Sequence, residues 1–236
     1  MKENEPIWFD KKQELNKDTY QTVKTNTVVT EINLSNEPKY KIMVCTPCHS
    51  DVSMHYAQAT LKFQQECLRN NILVSFTLLK SSLVTQGRNL CVSEFISHEH
   101  KYEHLLFIDS DIDFEYKTII KMIEADKDVI ACPYPMKTIN EDKMWTTLTE
   151  KYENIRNKSD VIKSSYMFPL KVKDKNCITV DNGIMEATHV PTGCMLIKRH
   201  VLEKMIKNHP ELKIKNKATP SAGKSHEFYY NFFDFG

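Results

Sequence analysis

Glycine is scarce in this chain: five occur in 236 residues, at positions 87, 183, 193, 223 and 236, and no two lie close together. That spacing excludes both the G-x-G-x-x-G turn and the G-x-x-x-x-G-K-[ST] loop as they stand. Any nucleotide bound here is held by another device. Net charge is nearly absent as well, because Lys+Arg 32 against Asp+Glu 31 leaves +1. No global electrostatic case remains for nucleic acid or an anionic membrane as partner. Mean hydropathy is −0.47, and no run of about 18 apolar residues is present, so no membrane span is expected. Met1–Asp10 is charged and has no apolar core of a leader, so no secretory signal is expected. Seven cysteines, an odd number spread from Cys45 to Cys194, suit a reducing compartment better than a disulfide framework. The expected location is cytoplasmic.

What is present is ordinary globular material, 41% hydrophobic and 27% charged, long enough for one large domain or two small ones. Residues 1–38 are polar and read as an extension that does not build the core; the domain proper is read over 39–236. Lys41–Thr46 is a short apolar run stopped by Pro47, as a buried strand would be. His55–Asn70 carries an approximate helical stripe, Ile72–Leu79 reads as a strand and Arg88–Ser97 as a helix. His104–Asp109 is a third strand, Tyr116–Ala125 a third helix, and Asp128–Cys132 a fourth strand halted by Pro133 and Pro135. Strands alternating with helices predict right-handed βαβ units and a mainly parallel sheet. Beyond Pro135 the alternation weakens. Glu141–Asn157 reads as helical, 166–173, 176–180 and 184–190 as strand-like, Cys194–Ile197 as a strand, and Val201–Lys207 as a short helix. The expected class is α/β, with a parallel first half and a mixed second half.

Asp109-Ser110-Asp111 is the strongest chemical feature. The apolar run Leu105–Ile108 places both carboxylates at a strand's carboxyl end, where open α/β sheets bind ligands. Two carboxylates one residue apart can share a hard divalent cation and leave positions for phosphate oxygens and water. Asp113 adds a third acid; a solvated acidic turn capping the next helix is the plainer alternative. Arg88-Asn89, read at a helix start, offers a planar, permanently charged fork to a phosphate or a base edge, or is an ordinary helix-start pair. Thr46-Pro47 follows the first strand, where a nucleotide base would lie in such a fold. In Pro191-Thr192-Gly193-Cys194, Gly193 either lets the backbone approach a sugar or forms a bulge.

The series V-C-T-P-C, L-V-T-Q-G-R-N, L-F-I-D-S-D-I-D-F, A-C-P-Y-P-M-K-T and V-P-T-G-C-M-L-I-K-R, over about Lys41–Arg199, resembles GT-A-fold glycosyltransferases, especially small viral and phage-type members. The resemblance implies a Rossmann-like sheet with helices on both faces and a nucleoside diphosphate sugar donor, UDP being the expected nucleotide. It also implies Mn²⁺ or Mg²⁺ on the D-x-D. By position, Asp109 would contact ribose or metal, Asp111 would bind metal, and Ser110 would lie between them. Arg88 and Asn89 would line the nucleotide pocket, Thr46 and Pro47 would flank the base, and Thr192 and Gly193 would sit near the donor sugar or acceptor. The acceptor is a glycan, a protein or a small molecule, and a viral origin would place the chain in the host cytoplasm. In similar proteins an acidic S-E-D-type segment carrying the base follows an aromatic run like Phe228–Phe235. Here the sequence stops at Gly236, so either the chain is truncated or the base comes from elsewhere, with Glu227 and Asp234 as poor substitutes. Truncation predicts that Tyr229, Tyr230, Phe232 and Phe233 are poorly covered.

Rival readings remain. Cys45-Thr-Pro-Cys48-His49 matches haem-attachment and redox C-x-x-C patterns, against ordinary reduced thiols. His98, His100 and His104 invite zinc, against a solvated helix end. Asp109 would be the nucleophile of a haloacid-dehalogenase-type phosphatase, and a nucleotide-sugar-binding module without catalysis is the third class.

Overall fold

The structure is a computed structural model that describes residues 37–150, 155, 157–174, 177–214 and 228–234. The extension read over residues 1–38 therefore lies, up to residue 36, outside the described residues, as does Glu227. Five strands form the main sheet: β1 (Lys41–Cys48), β2 (Leu73–Lys80), β3 (His104–Ile108), β4 (Val129–Ala131) and, late in the chain, β9 (Cys194–Lys198), in the order β2-β1-β3-β9-β4. β1 pairs in parallel with β2 and β3, whereas β9 runs antiparallel to both β3 and β4. The sheet is thus mainly parallel, with one reversed strand contributed by the second half.

Strands buried on both faces carry apolar residues at every position, and alternate residues feed two cores. Ile42 and Val44 of β1, Leu106 and Ile108 of β3, and Leu196 of β9 pack against α1 (Met54–Arg69) and α3 (Tyr116–Glu124). Met43, Cys45, Leu105, Phe107, Met195 and Ile197 turn to the other face, against α2 (Val84–Ser97) and Leu202 of α6 (Arg199–Asn208). Helices on both faces make this a Rossmann-like α/β layer arrangement.

Four local expectations are corrected. β1 does not stop at Pro47 but runs to Cys48, pairing Pro47 with Leu79 of β2. Its pairing with β3 covers only Ile42–Cys45, so at Pro47 one backbone edge is already free of the ladder and a missing N–H is tolerated. Helix α2 starts at Val84, a turn before Arg88, so Arg88 and Asn89 are interior helical residues. The helix read over Glu141–Asn157 is α4 (Glu141–Glu150), and a further helix not read from the sequence, α5 (Lys158–Ser164), follows beyond Asn157. The strand-like runs shrink to β5 (Lys171–Val172), β6 (Val180–Asp181), β7 (Ile184–Met185) and β8 (Ala187–His189), in two small antiparallel pairs.

The aromatic run near the chain's end is also covered, contrary to expectation. Tyr229 and Tyr230 are 5% and 7% exposed, and Phe232 and Phe233 join the core facing α2. Its fixing points are specific. Asn89 donates to the Phe233 carbonyl at 3.0 Å and accepts from its N–H at 2.9 Å, a side chain imitating a β-ladder partner. Asn231 N–H donates to Leu212 O, and Ile214 N–H to Tyr229 O, both at 2.9 Å.

His104 opens β3 with its ring buried and Nδ1 lacking a hydrogen-bond partner among the described residues. Burial holds its pKa below the usual 6.5. The unfolded chain then binds a proton that the folded one refuses, so stability is complete above about pH 6.5 and falls as pH drops below it. Urea unfolding across that range should lose at most about 1.4 kcal/mol per pH unit through this group. His104→Phe should flatten the dependence; an unchanged slope in the variant would assign it elsewhere.

Candidate active site at the carboxyl end of β3

Sheet order reverses between β1 and β3, since β2 lies on one side of β1 and β3 on the other. Ligands of open α/β sheets bind outside the carboxyl ends at such a point. Asp109 follows β3 directly, and its N–H donates to Gly193 O at 2.8 Å, prolonging the β3–β9 ladder by one step. Ile112 N–H closes a turn onto Asp109 O at 3.1 Å, and Ser110 O accepts from Ser53 N–H at 2.8 Å. Ser53 is the N-cap of α1, so the acidic turn is tied to the positive end of that helix dipole.

Arg88 organises the site from beneath. Its side chain is 5% exposed, and Nη2 donates to Asp109 Oδ1 at 2.7 Å. Nη1 reaches the Thr192 carbonyl at 3.4 Å, and the guanidinium lies 5.2 Å from the Phe107 ring centre. One buried cation therefore joins α2, the end of β3 and the turn before β9. α2 approaches closely enough to do this because Gly87 has no side chain; a Cβ there would lie 3.0 Å from Pro47 Cβ and 3.1 Å from Ser81 Cβ.

Opposite Arg88, Gly193 makes room for a carboxylate. A Cβ at Gly193 would lie 2.5 Å from Asp109 Oδ2 and would overlap the Tyr134 hydroxyl and ring. Burial, and then the Asp109 charge, raise the Tyr134 pKa, with a backbone hydrogen bond from Gly193 working against them. Tyr134 stays protonated at neutral pH and can donate a hydrogen bond. Asp111 is about half exposed and paired with Lys137, whose ammonium is 82% exposed and held in the charged form mainly by that hydrogen bond.

The structure thus gathers Arg88, Asp109, Thr192 and Gly193 around one carboxylate, with Ser110 and Asp111 on the adjoining turn. The other positions read from sequence lie differently. Thr46 is fully buried and its hydroxyl is engaged with Tyr56 Oη at 2.6 Å; Pro47 is buried beneath α2; Asn89 is committed to Asn231 and Phe233. Tyr134 and Lys137 were not singled out from the sequence, although both lie in the P-Y-P-M-K stretch after a strand's carboxyl end. Arg199 was missed as well: it donates to the Phe95 and Tyr102 carbonyls at 2.8 and 2.5 Å and closes the C-terminal end of α2.

Of the three histidines that invite zinc, His98 and His100 bring their rings to 5.3 Å, while His104 is buried at the start of β3. Cys45 and Cys48 lie three apart on one strand and so face opposite sides of the sheet. All seven cysteines are free thiols. Among the described residues no three His, Cys, Asp or Glu side chains cluster to hold a metal, and no helix is long and apolar enough to cross a membrane. A concavity of about 610 Å³ lies between α4 and α5 beside Lys143 and Asp160, and no residue of the charged cluster lines it.

No family model matches this chain, nor does any curated protein. Among solved structures it is similar to a glycosyltransferase involved in the glycosylation of the major capsid of PBCV-1. The two are 13% identical, with 80% of this chain and 75% of that chain covered and a TM-score of 0.31. A likeness of that degree leaves the assignment of function to the residues gathered at the carboxyl end of β3.

Proposed function

We propose that this chain is a GT-A-type glycosyltransferase that moves a sugar from a nucleoside diphosphate donor, expected to be a UDP-sugar, to an acceptor hydroxyl with the help of Mn²⁺ or Mg²⁺. The observation that carries this reading is the Arg88–Asp109–Gly193 junction with Asp111 beside it, at the carboxyl end of β3. Asp109 is fixed in place by a buried guanidinium, as a group that positions a ligand must be. Asp111 is solvent-accessible, as a group that meets an incoming ion must be.

The charges argue for a cation arriving with the donor. Arg88 and Lys137 balance Asp109 and Asp111, and Asp113 adds a further exposed negative charge. A diphosphate entering here meets no net positive charge from the protein. The donor set fits a hard cation in a limited way: two carboxylates, each with one oxygen already paired, leave most coordination positions to phosphate and water, as magnesium-type ions favour. Asp111, with Asp109 behind it, would hold such an ion, which when bound would offset charge developing on the departing diphosphate. Lys137, released from Asp111, would be free to meet a phosphate oxygen, and the Tyr134 hydroxyl would donate toward the donor. The Arg88 guanidinium that holds one oxygen of Asp109 suits a positioning role better than that of a free phosphatase nucleophile.

Asp111→Asn tests the reading. It removes only an exposed ion pair, worth about 0–1 kcal/mol, so the variant should fold normally. Wild-type protein at 100 times the dissociation constant of UDP with Mn²⁺ should gain about 2.7 kcal/mol, a rise of roughly 5–10 °C in Tm. The variant should lose that gain and show no Mn²⁺-dependent binding by calorimetry. Unchanged metal-dependent affinity would overturn the assignment of Asp111, and a beryllium-fluoride adduct on Asp109 would favour phosphoryl chemistry.

A further inference from the structure

We propose that Cys132 and Cys194 form a reactive dithiol, a modification site that peroxide closes into an intramolecular disulfide tying the end of β4 to β9. The β4–β9 register pairs Val129 with Ile197 and Ala131 with Met195; its next step sets Cys132 opposite Cys194, and Cys132 N–H donates to Cys194 O at 2.9 Å. Directly opposed residues of an antiparallel pair carry their side chains on the same face. Their Cα atoms stand about 5.5 Å apart in a hydrogen-bonded pair, within the roughly 4.4–6.8 Å that a disulfide spans. Cys132 Sγ itself lies 3.9 Å from the Pro133 carbonyl, to which it donates.

The pair is asymmetric in the way a two-step oxidation requires. Cys132 is half-buried and open to a small oxidant, while Cys194 is 3% exposed. The proximity of the two sulfurs lowers the Cys132 thiol below its usual range, whereas the same proximity and burial raise Cys194. Cys177 is exposed but lies in no strand, and Cys48 is partly exposed but stands opposite Lys80 in the β1–β2 pairing. Cys45 and Cys91 are both fully buried, and burial raises Cys45. Cys67 is buried too, its thiol pushed up to about 12.

The chemistry balances with one peroxide. The Cys132 thiolate attacks one peroxide oxygen, the O–O bond breaks, and the departing hydroxide takes a proton to become water, leaving a sulfenic acid. The Cys194 sulfur then attacks the Cys132 sulfur and gives up its proton. The S–O bond breaks and a second water leaves. Two thiols are oxidised and one peroxide is reduced. The product fastens both ends of segment 133–193, which carries Tyr134, Lys137, Thr192 and Gly193, the cleft wall facing Arg88.

Peptide mapping of the reduced full chain after stoichiometric hydrogen peroxide provides the test. The expected result is a linked Cys132–Cys194 peptide pair about 2 Da lighter than the two free thiols, reversed by dithiothreitol. Limiting iodoacetamide should label Cys132 at least about tenfold faster than Cys45, Cys67 or Cys91. In Cys194→Ser, dimedone should trap the Cys132 sulfenic acid, and in Cys132→Ser no cross-link should form. Wild-type protein that retains both thiols under peroxide, or links another pair first, overturns the proposal even if neither variant folds.

Discussion

Replacing Arg88 by alanine is expected to cost this protein about 3 kcal/mol of stability and all measurable binding of a nucleoside diphosphate. The stability figure follows from breaking a buried ion pair, which typically costs about 3–5 kcal/mol because the surviving charge is left without its partner. The low end applies, since Asp109 retains 30% side-chain exposure and water can partly take over. For a domain of this size that corresponds to a fall of roughly 6–12 °C in Tm. The second effect has a different origin. Without the fork, nothing fixes Asp109 Oδ1 or draws the Thr192 carbonyl toward α2. The double variant Arg88→Met, Asp109→Asn separates the two effects. Removing both charges should restore part of the lost stability, because no buried charge is then left without its partner. Binding should stay absent. Urea unfolding and calorimetry on the three proteins decide the matter. A loss below about 1 kcal/mol in Arg88→Ala would mean that the pair behaves as a surface salt bridge.

The difference between what the sequence discloses and what it conceals follows from the same residues. β1, β3 and β9 were legible because strands covered on both faces carry long apolar runs, the edge strand β2 because it is rich in β-branched and apolar residues, and Asp109-Ser110-Asp111 because it interrupts such a run abruptly. Helix α2 was placed too late because Gly87, Arg88 and Asn89 are as buried as Cys91, Val92 and Phe95. A helix enclosed on several sides shows no polar–apolar stripe to mark its first turn, and Leu83 at its N-cap carries no capping group. Asn89 has a nucleotide-pocket residue's chemistry but serves as a ladder partner for Phe233, a contact no local pattern announces. For the same reason the aromatic run looked exposed and is not. Large apolar side chains are left in solvent elsewhere, among them Met54 and Leu61 on α1 and Trp145 on α4. Lys137 and Tyr134 reach the site only because β4 ends beside β9, a long-range pairing that periodicity cannot show.

Gly193→Ala is the second substitution expected to have a large effect, and the reason is spatial. The new methyl group would sit 2.5 Å from Asp109 Oδ2 and inside the space of the Tyr134 hydroxyl, so the carboxylate, the phenol or both must move. Overpacking of this kind costs about 1–3 kcal/mol. Displacing a positioning carboxylate by about 1 Å costs up to about 100-fold in function. The expected outcome is therefore a modest fall in Tm with a loss of roughly 10–100-fold in affinity for the metal–nucleotide complex. Tyr134→Ala added to Gly193→Ala should recover part of the stability, since it removes one of the two overlaps, and the coupling between the sites should be measurable in a double-mutant cycle. Affinity should not return, because the methyl group still meets Asp109. If Gly193→Ala binds as well as wild type, the close approach of Gly193 to Asp109 has no part in holding the donor. If Tyr134→Ala restores binding fully, the ring and not the carboxylate is the element that Gly193 protects.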